Sequence, residues 1–307
     1  MKIFYSVDEI DPGQDTVLTV GSFDGVHRGH QRILEELEKQ SRECECTDAL
    51  ITFHPHPKEV LGKTEGKPIE LLTPLDDKLE ILEKLGLSMV IIIPFTPEFS
   101  KTRYQDFVKN ILIDRARMKK IVIGYDHSFG RNREGHAQEL EQMGNKYGFS
   151  VTVIQPFHIG NEIVGSRKIR KFLKEGNVVE AAELLGRRYS LSGHVVKGNN
   201  RGKILGFPTA NIQPAYTSKL IPARGVYAVD VLLDGKRYAG MMNIGNRPTF
   251  NFDPLTLEVH IFNFSGLIYD SNLRIEFKQF IRKERKFSEP EDLKQQMIKD
   301  KEICIKI

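Results

Sequence analysis

Thr16-Val-Leu-Thr-Val-Gly-Ser-Phe-Asp-Gly-Val-His-Arg-Gly-His30 carries a β-branched run directly into the helical pattern that begins at Gln31. A strand turning into a helix through three glycines is the carboxyl edge of an open α/β sheet, where ligands bind. Free N–H groups and the dipole at the helix N-terminus favour an anion there. Gly21, Gly25 and Gly29 let the backbone approach it closely. His27 and His30 could then be metal ligands, an acid–base pair, or N–H donors to phosphate oxygens. Zinc fits poorly, because the spacing is not HExxH and Asp24 offers only one more ligand. His54-Pro-His56-Pro57, flanked by its prolines, reads as an extended loop. Two imidazoles beside a helix N-terminus fit best as a phosphate clamp. Either histidine alone reads as an ordinary surface or core residue; the whole string G-x-F-D-G-V-H-x-G-H is the specific signal.

Outward from this turn, apolar runs at Val17–Val20, Ala49–Phe53, Met89–Ile93, Ile121–Ile123 and Val151–Ile154 alternate with helical patterns near 31–42, 76–85, 104–112 and 136–147. Near-continuous apolar strands between helices indicate βαβ units and a parallel sheet covered on both faces. Helical stretches at Arg167–Lys174 and Val178–Leu185 close this half. After Arg188 the texture changes to short strands at Leu191–Val196, Val226–Leu233, Tyr238–Ile244, Leu257–Phe262 and Leu273–Phe280, with turn signals such as Asp234-Gly235. One helix follows Ser288-Glu-Pro-Glu. The expectation is an α/β domain over 1–186 and a small antiparallel β-barrel with a C-terminal helix over 187–307.

Of the 307 residues 40% are hydrophobic and 28% charged, the balance of a soluble globular protein. A net charge of +4 suits a protein that handles phosphorylated small molecules and requires no nucleic acid. Neither a helix-turn-helix signal nor a long basic stripe is present. Arg282–Lys286 is broken by Glu284 and reads as a solvated face. The opening MKIFYSVDEIDPGQ has no signal-peptide core, and the run at Met89–Ile93 is too short for a bilayer. Three cysteines make no disulfide framework, so the expected compartment is the cytoplasm and no membrane partner is expected.

The second half has its own dense motif at 194–212. Gly198, Gly202 and Gly206 permit a backbone nest for phosphate, with Lys197, Arg201 and Lys203 around it. It is not a Walker A loop, being one residue short and ending in Ile. Thr209 and Asn211, two apart on an extended segment, point the same way and offer oxygens that suit Mg²⁺. Glu258, between Leu257 and Val259, faces away from the core; taken alone, this is simple solvent exposure.

These stretches together resemble the bacterial bifunctional riboflavin kinase/FMN adenylyltransferases (FAD synthetases). The opening string resembles the HxGH signature of nucleotidyltransferases, and "ITFHPHP", "IGYDHSFGRNREG" and "VGSRKIRKFL" agree with the adenylyltransferase module. Pro208-Thr-Ala-Asn211, "GVYA" at 225–228, "NIGNRPTF" at 243–250 and "LEVHIF" at 257–262 resemble the flavokinase module. The resemblance implies a Rossmann-like nucleotidyltransferase domain followed by a flavokinase-like barrel. It also implies riboflavin, FMN and ATP as substrates, with Mg²⁺ as cofactor. On it, Gly25, His27, His30, Ser166 and Arg170 hold the nucleotide of the adenylyltransferase, and Asp126, Phe129 and Arg133 are flavin candidates. In the kinase, Gly198, Gly202, Lys203, Thr209 and Asn211 hold Mg-nucleotide, Thr209 and Asn211 touching the metal, and Glu258 is the catalytic base. The chain departs from the family at His127, usually Phe. It departs again at Gly165 and Arg167, where hydroxyl residues are usual. Those lost donors keep a kinase-dominant enzyme open as an alternative, beside a flavin- or nucleotide-sensing regulator. A homo-oligomer is compatible with the sequence.

Overall fold

The computed structural model describes residues 1–62, 69–198, 206–246 and 255–307. The chain divides into two compact units, Met1–Ser166 and Arg167–Ile307.

The first unit is built on a parallel six-stranded sheet: β1 (Lys2–Phe4), β2 (Thr16–Val20), β3 (Thr47–His54), β4 (Met89–Pro94), β5 (Met118–Gly124) and β6 (Ser150–Ile154). Its order is β1-β4-β3-β2-β5-β6. Every residue of β2 is buried, as a central strand covered on both faces must be. Alternate side chains therefore feed two cores. Leu18, Ile51, Ile91 and Ile121 enter one; Val17, Leu50, Val90 and Val122 enter the other, beneath Leu34 and Leu37 of α1 (Arg28–Glu43). The chain moves from β2 to β3 on one side and reaches β5 on the other, so the strand order reverses at the carboxyl end of β2.

The other helices of this unit are α2 (Pro57–Val60), α3 (Leu75–Lys84), α4 (Tyr104–Asp106) and α5 (Ala137–Tyr147). Three local expectations change. Pro57 starts the single-turn α2 with His56 as its N-cap, so this segment is not an extended loop: proline is well accommodated in a first helical turn. The pattern at 104–112 holds one α-turn, followed by a π-helix at Phe107–Arg115 that buries Phe107, Val108 and Leu112 in the core. The short strand β1 and the hairpin of β7 (His158–Ile159) with β8 (Glu162–Ile163) gave too little periodicity to be read. Cys44 and Cys46 are disulfide-bonded across one intervening residue, which joins no two elements.

In the second unit, α6 (Ser166–Glu175) and α7 (Val178–Leu185) lead into β9 (Ser190–Val196), β10 (Ala210–Pro214), β11 (Gly225–Leu233), β12 (Lys236–Asn246), β13 (Leu255–Ile261), β14 (Asn272–Arg282) and α8 (Pro290–Lys306). The strands close an antiparallel barrel in the order β10-β13-β12-β11-β14-β9, with β9 returning to β10. Helices α6 and α7 look like the helices before them, so the sequence changes texture only after Arg188. They nevertheless pack on the barrel: Ala223 N donates to Leu173 O at 2.9 Å, and the αL Gly176 lies against Phe280.

Helix α8 caps an outer apolar patch of Phe207, Ala228, Met241 and Phe262 with Cys304. Burial pushes the Cys304 thiol up to about 12. The helix is pinned by Asp300, 1% exposed, whose carboxylate accepts two bonds from Arg282 Nε at 3.0 Å and one from Nη2 at 2.7 Å. Removing one partner of such a pair strands a buried charge, at a cost of about 3–5 kcal/mol. Asp300→Ala is therefore expected to lower unfolding free energy by about that amount in denaturant titration. A loss under about 1 kcal/mol would remove this pair from the forces that hold the helix.

Candidate active sites

The loop from Gly21 to His27 leaves β2 at the point where the strand order reverses. Its backbone is contorted: Phe23, Gly25 and Val26 have φ of 47°, 95° and 39°. Positive φ at a β-branched residue costs about 1–3 kcal/mol and needs support. Asp24 supplies it. Its buried carboxylate accepts from Leu72 N at 2.9 Å, Thr73 N at 2.9 Å and Thr73 Oγ1 at 3.3 Å. Thr73 Oγ1 in turn accepts from Gly25 N at 2.8 Å. Asp24 is thus a scaffold residue, its oxygens taken by backbone N–H groups and the Thr73 hydroxyl rather than held ready for a metal.

His27 caps α1, its Nδ1 accepting from His30 N at 3.3 Å. The two imidazoles stack with centroids 3.7 Å apart, and Phe23 stacks on His30 at 4.5 Å. Gly29 sits against the His27 ring, where a Cβ would come within 3.2 Å of it. The histidines therefore form one stacked unit at a helix N-terminus. Ser166 joins them from a distant part of the sequence, its Oγ donating to Asp24 O at 2.7 Å. Arg170 lies one turn further along α6. Next to the helix start, Gly165 has open space where a side chain would go.

The loop after β5 carries the remaining candidates of this unit. Phe129 is buried in the core against Phe107 and Tyr104. Gly130 and Gly135 are packed so closely on Tyr104 that a Cβ at either would lie under 3 Å from it. Asp126 is exposed, and exposed Arg133 donates from Nε to Ser128 Oγ at 2.6 Å. His127 stacks on Phe129 at 5.5 Å, and its buried Nε2 has no hydrogen-bond partner. Burial, with the nearby charges of Arg133 and His136, pushes His127 down to about 4, so the ring is neutral.

In the barrel, Asn211 on β10 stands opposite Glu258 on β13, and Asn243 on β12 stands opposite Glu258 on the other side. Leu257 and Val259 are buried while Glu258 is half-buried, so the carboxylate lies on the face away from the core. Thr209 Oγ1 is 3.5 Å from Glu258 Oε2. A Cβ at Gly198 would overlap the Asn211 carboxamide, so the glycine makes room for that side chain. Gly202 and Lys203, with Arg201 and Arg247–Phe250, lie outside the described residues. A hydroxyl, a carboxamide and one carboxylate suit a hard cation that keeps water and phosphate as its other ligands. Among the described residues no cluster of three or more His, Cys, Asp or Glu could hold a metal by itself.

Two family models match side by side, FAD synthetase over residues 10–168 and riboflavin kinase over 185–307. The bifunctional riboflavin kinase/FMN adenylyltransferase of Listeria monocytogenes is 37% identical over 93% of this chain and 90% of its own. That of Escherichia coli K12 is 35% identical over 98% and 96%. The chain belongs to this family. A crystal structure from Streptococcus pneumoniae, described as a macrolide-efflux protein, superposes with a TM-score of 0.89 at 29% identity over 98% of this chain and 97% of that one. Among the described residues here, no helix is long and apolar enough to cross a membrane.

Within this riboflavin kinase/FMN adenylyltransferase fold, the structure adds residues that the sequence reading did not single out. Thr73 and Leu72 anchor Asp24. Lys78, inside α3 and only 5% exposed, donates from Nζ to Thr52 Oγ1 at 3.2 Å, and Thr52 Oγ1 donates to Ser22 O at 3.5 Å. The only sequence signal for Lys78 is its spacing of four from buried Leu82, and a lysine at such a position is ordinarily taken as solvated.

Burial pushes Lys78 down to about 8, partly offset by the Asp24 charge. The folded state therefore disfavours the ammonium. This penalty is complete below about pH 8 and disappears as pH rises to the unfolded value of 10.5. Lys78→Met lacks the penalty, so the stability difference between variant and wild type is expected to shift by about 3 kcal/mol in wild type's favour between pH 8 and 10.5. Denaturant melts of both proteins across that range check it. A difference that does not change with pH means that Lys78 is not buried as an ammonium.

Proposed function

We propose that the barrel phosphorylates riboflavin to FMN and that the first unit adenylylates FMN to FAD. The observation that carries the reading is the barrel row in which Asn211 stands opposite Glu258, with the Thr209 hydroxyl 3.5 Å from the carboxylate. Metal-type oxygens beside a base are what phosphoryl transfer to an alcohol needs.

In the kinase, Thr209 and Asn211 would hold Mg²⁺ with the ATP phosphates, beside Gly198, which leaves room for the Asn211 carboxamide. Bound Mg²⁺ supplies charge neutralisation for the phosphoryl group in flight. Glu258 accepts the proton of the ribityl 5′-hydroxyl as its oxygen bonds to the γ-phosphorus, and the bond to ADP breaks. In the adenylyltransferase, an FMN phosphate oxygen attacks the α-phosphorus of a second ATP and pyrophosphate leaves. No protein nucleophile is needed. His27, His30 and the α1 N-terminus stabilise the charge that develops on the phosphates, with Ser166 beside them in the same unit. Asp126, Phe129 and Arg133 form the flavin side, Phe129 by shaping it from within the core.

A kinase-dominant enzyme is the second reading, favoured by Gly165 and Arg167, which bring no hydroxyl to the start of α6. Product analysis with riboflavin and Mg·ATP separates the two: FAD accumulates on the first reading, FMN on the second. The site assignments are tested in the same assay. Glu258→Gln is expected to cut FMN formation by ~10² to 10⁴-fold while leaving adenylylation of added FMN intact. His27→Ala with His30→Ala should do the reverse. Near-normal FMN formation by Glu258→Gln would return that residue to an exposed strand position, and a double histidine variant that still makes FAD would remove the phosphate clamp.

A further inference from the structure

We infer that His260 is a positioning residue of the kinase site, pinning the Pro208–Asn211 segment to the strand that carries Glu258 through one bond to a backbone carbonyl. This rests on the kinase reading proposed above. His260 Nδ1 lies 2.7 Å from Pro208 O. A carbonyl oxygen only accepts, so Nδ1 carries the proton and the tautomer is fixed. The ring is 7% exposed and wedged between two aromatic edges, Phe207 at 5.3 Å and Phe262 at 5.6 Å. Phe207 immediately precedes Pro208, so the same imidazole packs on one residue of the segment and hydrogen-bonds the next.

The need for such a side chain follows from the backbone. Pro208 has no N–H to give a sheet ladder. Regular pairing of β10 with β13 begins only at Ala210 opposite Val259, followed by Asn211 opposite Glu258. His260 is the next residue of β13 beyond that register. Its side chain therefore extends the attachment past the point where main-chain bonding stops. Thr209 is then held on both sides, by the imidazole at Pro208 and by the ladder at Ala210. That fixes its hydroxyl beside Glu258. A reacting constellation loosened by about 1 Å can lose on the order of 10²-fold in rate.

The test uses the full-length chain with three substitutions. His260→Asn keeps a donor near the Nδ1 position, His260→Gln places its donor near Nε2 where Pro208 O is out of reach, and His260→Phe keeps packing without a donor. The readouts are KM for Mg·ATP, KM for riboflavin and kcat for FMN formation, together with melting temperature. Mg·ADP affinity is measured by calorimetry in the His27→Ala/His30→Ala background, so that only the barrel's nucleotide site reports. His260→Phe and His260→Gln are expected to raise KM for Mg·ATP and weaken Mg·ADP binding by roughly tenfold, with riboflavin KM little changed. His260→Asn should recover most of the loss, and all three should adenylylate added FMN at the wild-type rate. A His260→Phe enzyme with normal Mg·ATP KM and Mg·ADP affinity overturns the inference, as does His260→Asn as impaired as His260→Phe at equal melting temperature. A wild-type chain that forms no FMN counts against the kinase reading instead, and the Mg·ADP titrations still decide whether His260 positions the segment.

Discussion

The first unit's site depends on a buried carboxylate bonded to backbone. Asp24 accepts hydrogen bonds from Leu72 N, Thr73 N and Thr73 Oγ1, and through Thr73 it reaches Gly25 N. Hydrogen bonds to an ionised group contribute about 1.5–3 kcal/mol each, enough to offset the positive φ of Phe23 and Val26. The turn they stabilise ends on His27, which caps α1 and fixes the stack with His30. Lys78 and Thr52 support the same loop from beneath through the Ser22 carbonyl.

The barrel solves the equivalent problem differently. Its candidate base sits on a regular strand, where the alternation of buried Leu257 and Val259 turns Glu258 outward without any special turn. Its partners come from a segment that cannot be fully laddered, because Pro208 interrupts it. Side-chain bonding from His260 and the room left by Gly198 then set where Thr209 and Asn211 stand. One unit places its functional groups by straining a loop around a fixed anion, the other by attaching an irregular segment to a regular strand.

Much of this was legible in the sequence, for reasons that differ by element. Strands such as Met89–Pro94 are apolar throughout because both faces are covered. His27, His30, Thr209, Asn211 and Glu258 lie in dense local strings, so each motif brings its own residues together. The supporting residues lie far apart in sequence: Asp24 with Thr73, Ser166 with Asp24, His260 with Pro208. None of these pairs leaves a local pattern. Lys78 is hidden by its chemistry, since a buried ammonium looks like a solvated one in an amphipathic helix. Helices α6 and α7 show the same limit at domain level: their patterns give helices but not the partner on which they pack.

The claim that a pre-bonded carboxylate sets the phosphate site is tested most directly by Asp24→Asn. The substitution keeps the shape but removes the charge and turns one acceptor into a donor facing backbone N–H groups. The measurement is the steady-state adenylylation of added FMN by the full-length variant, with riboflavin phosphorylation as the internal control. The account predicts a fall of roughly 10- to 100-fold in kcat/KM for ATP in adenylylation, matching the loss of one charge-assisted bond, with phosphorylation unchanged. Adenylylation at the wild-type rate by a folded Asp24→Asn protein would contradict it.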